Sequence, residues 1–183
     1  MYIFLVPLLL GFAFNLASAF TTAFSRHLGD RRGSAVSAIL RDILGIPVWA
    51  VGFVLAIRAP SPALFEPTVA TKGLGWFMIS VGGLIIVVAL ATIRLRAAVP
   101  STRDALAQNG IYAVVRHPIH TGTLLEFLGL LFLRPMRTTA LACLLGLVWI
   151  LVQTKLEEID LLQRVPAYRE YMKKVPRYLP RTF

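Results

Sequence analysis

Long apolar runs, separated by short segments that hold nearly all the charge, constrain this chain more than any other feature. Four or five such runs fill most of the 183 residues, with 57% of residues hydrophobic and only 15% charged. Runs near 20 residues match the thickness of a bilayer core, and inside lipid the backbone polar groups must be satisfied within the segment, so helices are expected. The chain therefore reads as an all-α integral membrane protein. No soluble domain of ordinary size fits beside the runs, and residues 1–183 read as a single domain. Its first part is a three-helix membrane unit over residues 1–96. Residues 97–183 hold a polar loop, a helical hairpin and a carboxyl-terminal tail.

The expected spans run from about 2 to 24, 38 to 57, 74 to 93, 119 to 133 and 138 to 154. The first carries Ala17, Ser18 and Ala19, loosely like a cleavage site. No basic residue precedes it as a signal sequence requires, so it reads as a retained helix. Pro47 marks a kink in the second. The glycines Gly75, Gly82 and Gly83 in the third read as close-packing positions. The fourth and fifth runs are short for a crossing and only Arg134 to Arg137 separate them, so they read as a tight antiparallel hairpin.

The net charge of +10 does not indicate nucleic acid, because the nineteen Lys and Arg are spread between the spans. They report topology instead. Five crossings with the amino terminus outside place fifteen of the nineteen on one face, which the positive-inside rule makes cytoplasmic. The polar segment at Arg116 and the carboxyl-terminal tail then share that face. Cys143, the single cysteine, lies inside an apolar run and reads as a packing residue.

Chemistry concentrates in two places. In VRHPIHTG, residues 115–122, Pro118 suits the first position of a helix, so Arg116, His117 and His120 lie at a helix amino terminus, which favours anions. His117 and His120 have a spacing that could place both imidazoles on one side of a turn. With three His and one Cys in the chain, ligands are scarce; a zinc ion would need Glu126 or Glu157 as well, and no metal is expected. Glu126, two turns into the apolar helix, needs a polar cavity or a hydrogen bond to Thr123 or a neighbouring helix. The second place is the tail, KLEEIDLLQRVPAYREYMKKVPRYLPRTF. Leu156, Ile159 and Leu162 recur at helical spacing, so one of Glu157 and Glu158 can face the bundle and the other water. Tyr168, Tyr171 and Met172 make a short amphipathic segment, and Lys173 and Lys174 suit anionic headgroups.

The pairing of NGIYAVVRHPIHTG with LEEIDLLQRVPAYREYMKKVPRYLP resembles the carboxyl-terminal region of the isoprenylcysteine carboxyl methyltransferase family, over about residues 109–181. Phospholipid methyltransferases share the Glu-Glu tail. The resemblance implies S-adenosylmethionine bound at the cytosolic face and a lipophilic acceptor, a prenyl-linked carboxylate or a phospholipid amine, arriving from the membrane. Tyr112, Arg116, His117, His120, Gly122, Glu157, Tyr168, Tyr171 and Arg177 are implied to bind the cofactor. Arg116, Glu157 and Glu158 are implied to act in catalysis. At His120 the family usually has Tyr. Sterol reductases carry a similar Arg-His-Pro element with a nicotinamide cofactor, which leaves a small reductase as one alternative; a non-catalytic lipid-binding scaffold is the other.

Overall fold

The computed structural model describes residues 2–97 and 106–181, with side chains placed except at 94–97. Among the described residues the chain is helical throughout, apart from one isolated bridge between Ala63 and Met136. The elements are α1 (Leu5–Ser18), α2 (Thr21–Leu28), α3 (Asp30–Ala38), α4 (Ile46–Arg58), α5 (Val69–Ala97), α6 (Pro118–Leu133), α7 (Arg137–Arg164) and α8 (Tyr168–Lys174). A short 3₁₀ turn, Gly110–Ala113, precedes α6.

Among the described residues, three helices are long and apolar enough to cross a membrane: Asp30–Arg58, Val69–Ile93 and Arg137–Arg164. A fourth arises if the bent pair α1 and α2 is taken as one span. Their outward faces are apolar; on α5, Trp76 and Phe77 are 63% and 65% exposed, the pattern of a lipid-facing surface. At 16 residues, α6 rises only about 24 Å, so helix lengths alone do not reach the five crossings read from the sequence.

The expected single helix over 2–24 is instead broken, with α1 and α2 meeting at 63°. Polar side chains explain the elbow. Asn15 Nδ2 donates to the Gly11 carbonyl, Ser18 Oγ to Asn15 O and Thr21 Oγ1 to Ser18 O, each competing with the helical ladder. The far side of the elbow is held by the Thr22 amide, which donates to Asp160 Oδ1 on α7 at 2.9 Å. The second span begins earlier than expected, at Asp30, and passes through seven residues of π-helix, Ile39–Gly45. The Ile46 amide reaches back five residues to Arg41 O. Pro47 follows at the start of α4, so a widened turn accommodates the proline whose missing amide suggested a kink.

An aromatic column ties α1, α4, α6 and α7. Phe12 stacks on Trp149 with ring centroids 4.8 Å apart, Phe53 stacks on Phe127 at the same distance, and Trp49 meets Phe12, Phe53 and Trp149. Helix α6 packs most intimately on α5. A Cβ built at Gly122 would stand 2.5 Å from Gly82 O, and one at Gly129 would stand 2.6 Å from Gly75 O. This seam is possible only with small residues on both helices. Between α6 and α7, His120 meets Thr154 and Phe127 meets Cys143, so their contacts run in opposite chain directions.

The loops sort by end. At one, Leu64 N donates to Pro135 O and Arg137 N to Pro62 O, joining the α4–α5 and α6–α7 connections. At the other lie the α1–α2 elbow, the 3₁₀ turn, the start of α6 and the tail. Here the Arg116 amide donates to Pro176 O and the His117 amide to Arg177 O.

Candidate active site

Pro118 opens α6 and His117 caps it in a non-helical conformation (φ −124°, ψ 63°), which aims the Arg116 and His117 side chains toward α7. There the helical rotation of about 100° per residue separates the two adjacent acids. Glu158 is buried at 2% exposure, and Glu157 turns toward a cavity. Of the apolar trio beside them, Ile159 and Leu162 are exposed and Leu156 is half-buried, and the inner face carries Gln153, Thr154, Glu158 and Asp160.

Glu158 is the hub of the tail. Its Oε1 accepts from Arg116 Nη2 at 2.9 Å and Nε at 3.2 Å, and from Arg177 Nε at 3.1 Å; Oε2 accepts from Arg177 Nη2. His117 Nε2 lies 3.3 Å from the same Oε1. Arg116 also donates through Nη1 to Met172 O and Val175 O. A carboxylate that accepts this many charged donors is stabilised in its ionised form. The bond to Glu158 likewise holds the Arg177 guanidinium above its ordinary value. Tyr168, Tyr171 and Val175 pack as a small cluster on Leu161 and Val165, and Tyr171 Oη donates to Tyr112 O.

Above this lock lies a cavity of about 690 Å³, within the range of small-molecule sites. Of the ten site residues, seven line it: Tyr112, Arg116, His117, His120, Glu157, Tyr168 and Tyr171. Glu158 and Arg177 do not line it, and Gly122 faces α5 in the helix seam described above. His117 and His120 stack with centroids 5.5 Å apart, and His117 Nδ1 is 3.7 Å from Glu157 Oε2. The extra ligand group whose lack argued against a metal thus stands beside the histidines: His117, His120 and Glu157 converge. Glu126 does not line the cavity; it packs beside Gly82 and Gly83, and Thr123 bonds Ile119 O.

Burial pushes the Tyr112 phenol up to about 12, helped by nearby Tyr171 and Glu157. Burial likewise lifts Tyr171 to about 12, against the opposing pull of Arg116. Both phenols are therefore neutral at physiological pH and can serve as hydrogen-bond donors.

Sequence reasoning missed Gln153. It is buried, lines the cavity and donates from Nε2 to Glu157 Oε1 at 2.7 Å, while its amide oxygen has no partner. A Gln four residues before a Glu in a helix was the available signal. Arg41 and Asp42 of the π-helical segment, and Asp160 and Arg164 of α7, also reach the wall. Nothing local to those segments shows that they face the Arg-His-Pro element.

A family model for phospholipid methyltransferases matches residues 70–168, which is more than half of the chain. The chain belongs to the phospholipid methyltransferase family. The match runs from the start of α5 through the Arg-His-Pro element, α6 and α7 to Tyr168, so it takes in most of the cavity wall but leaves out Ser18, Thr21, Arg41, Asp42 and Tyr171 of that wall and stops before Arg177. No curated relative and no solved structure matches the chain at a significant level. As a member of this family with apolar membrane helices, the protein is a membrane methyltransferase.

Proposed function

We propose that this protein transfers the methyl group of S-adenosylmethionine to a lipophilic acceptor at the cavity between α6, α7 and the tail. The observation that carries the reading is the joining of Tyr112, His117, His120, Gln153 and Glu157 around one space of about 690 Å³, open to apolar residues Ile86, Leu90 and Ile93 of α5. The residues suit the cofactor. The unpartnered Gln153 oxygen and the Glu157 carboxylate together can accept from its ammonium or ribose hydroxyls, and the buried Tyr168 hydroxyl lacks a partner as well. The first-turn amides of α6 suit its carboxylate, since the Arg116 donors are spent on Glu158, Met172 and Val175.

When bound, the cofactor supplies an electrophilic methyl on a sulfonium sulfur. The protein's part is alignment and exclusion of water. A carboxylate acceptor is already ionised and needs no base. An amine acceptor, which the family's description favours, must first lose a proton, and the His117–Glu157 pair stands on the cavity to take it. Arg116, Glu158 and Arg177 act as positioning residues that lock the tail beneath the site. We assign the whole chain to one domain, with five crossings that end in the α6–α7 hairpin and with the cavity on the cytoplasmic side. The Lys and Arg asymmetry supports that orientation.

Calorimetric titration of the detergent-solubilised protein, in chelator, with S-adenosylhomocysteine and with NADPH tests the reading. S-adenosylhomocysteine should bind, and Glu157→Gln should weaken it about ten- to a hundredfold, the cost of one charged hydrogen bond. Unaltered affinity in that variant would show the cofactor misplaced. Binding of NADPH alone would favour a reductase, and binding of neither would favour a scaffold.

A further inference from the structure

His117, His120 and Glu157 stand on the cavity wall with one nitrogen of each ring and one carboxylate oxygen all within 4.8 Å of one another. The tautomer of His117 is set by its surroundings. Nε2 faces Glu158 Oε1 at 3.3 Å, and that carboxylate is an acceptor already held by Arg116 and Arg177, so Nε2 carries hydrogen. In the neutral ring Nδ1 then holds a lone pair, and it faces Glu157 Oε2 at 3.7 Å. Two acceptors facing one another at that distance repel unless a proton or a metal cation bridges them. His120 belongs to the same group, and its Nδ1 lies 2.9 Å from Thr154 Oγ1; in the tautomer that donates Nδ1–H to Thr154, Nε2 is left with its lone pair. With those tautomers each imidazole has one nitrogen oriented by a hydrogen bond and the other open, the arrangement in which histidines bind metal.

We propose that His117, His120 and Glu157 bind a divalent transition-metal ion, with zinc the best match to two imidazoles and a carboxylate, and with the remaining coordination position open to the cavity. Donors sharing a tetrahedral zinc lie about 3.3 Å apart, from bond lengths near 2.0–2.1 Å. The side chains therefore draw in by about 1.5 Å at most from their present separation. The proposal goes beyond the cofactor reading and does not rest on it. A dication there would occupy His117 and Glu157 and oppose a cationic amino group, so the metal-bound and cofactor-bound forms are alternative states, which is why the cofactor titrations belong in chelator.

The test uses the full-length, untagged protein in detergent, stripped with chelator and titrated with Co²⁺ and Zn²⁺ in the absence of cofactor. One ion per chain should bind, and Co²⁺ should give the intense visible bands of a four-coordinate site, displaced by Zn²⁺. His120→Ala and Glu157→Gln should each weaken Zn²⁺ binding by more than about tenfold, the loss seen even for a supporting residue. Glu126→Gln, outside the cavity, should leave it unchanged. No stoichiometric binding in the parent would show that a proton bridges His117 and Glu157, and would overturn the proposal. So would unchanged affinity in both variants. Stoichiometry and the Co²⁺ spectrum are read on the parent, so a variant that fails to fold does not remove the test.

Discussion

Replacing Glu158 with Gln should release the carboxyl-terminal tail while leaving the helical bundle assembled. The carboxylate is 3% exposed and is the only acid among the described residues bonded to Arg116, whose side chain is 8% exposed. An amide in its place keeps the shape but removes the counter-charge, and its NH₂ opposes the guanidinium donors. Breaking a buried ion pair by neutralising one partner costs about 3–5 kcal/mol. The Arg177 arm adds little, because that side chain is 36% exposed and water screens it. If the cost falls on tail docking, the undocked population rises roughly a hundred- to a few thousandfold. Hydrogen exchange reads this directly: the Arg116 and His117 amides donate to Pro176 O and Arg177 O, so they are protected only while the tail is docked. Their exchange should accelerate by that factor in Glu158→Gln. Arg177→Ala, which leaves Glu158 paired with Arg116, should cost about 1 kcal/mol or less. If exchange at Arg116 and His117 is unchanged in Glu158→Gln, or if Arg177→Ala matches it, Glu158 is not the hub.

Gly122→Val should lower the thermal unfolding temperature of the solubilised protein by a loss of at least about 1–3 kcal/mol, because its Cβ would meet Gly82 O and Ile86; unchanged melting would refute the seam. Raising pH should undock the tail. Tyr112 and Tyr171 sit at about 12 when folded against an ordinary value of 10.0, so their stabilisation is complete below pH 10 and lost as pH climbs through about 12. Phenolate absorbance should thus rise together with Arg116 and His117 exchange, and independent transitions would count against the coupling. With Cys143 replaced, a cysteine at Glu66 should react with an impermeant reagent on intact cells while ones at Arg26 and Leu179 stay protected; labelling of Leu179 would invert the assigned orientation.

Much of this could be read along the chain. Pro118 marks the start of α6 because a missing amide hydrogen costs nothing at a helix's first position, and the structure begins that helix there. Helix α5 is legible from its unbroken apolar run, since lipid rewards apolar side chains on every face. The elbow after Ser18 was not, because its polar side chains are sparse in an apolar run and the Thr22 anchor lies 138 residues away on Asp160. Gly122 illustrates the same limit. Motif position suggested a ligand contact, whereas the backbone of α5 occupies the space in front of it.

What the sequence by itself determined is the class of molecule: apolar runs of bilayer length require helices, and the Arg-His-Pro and Glu-Glu elements mark segments that meet at the cavity. Only the tertiary structure decided what each polar residue does. Glu157 and Glu158 are chemically the same, and their order along the chain does not separate a cavity-facing carboxylate from a buried tie. One step of helical rotation does so once α7 has packed against α6 and the tail has brought Arg177 to the inner side. Local propensity has no access to that rotation, because the packing that sets it joins residues dozens of positions apart.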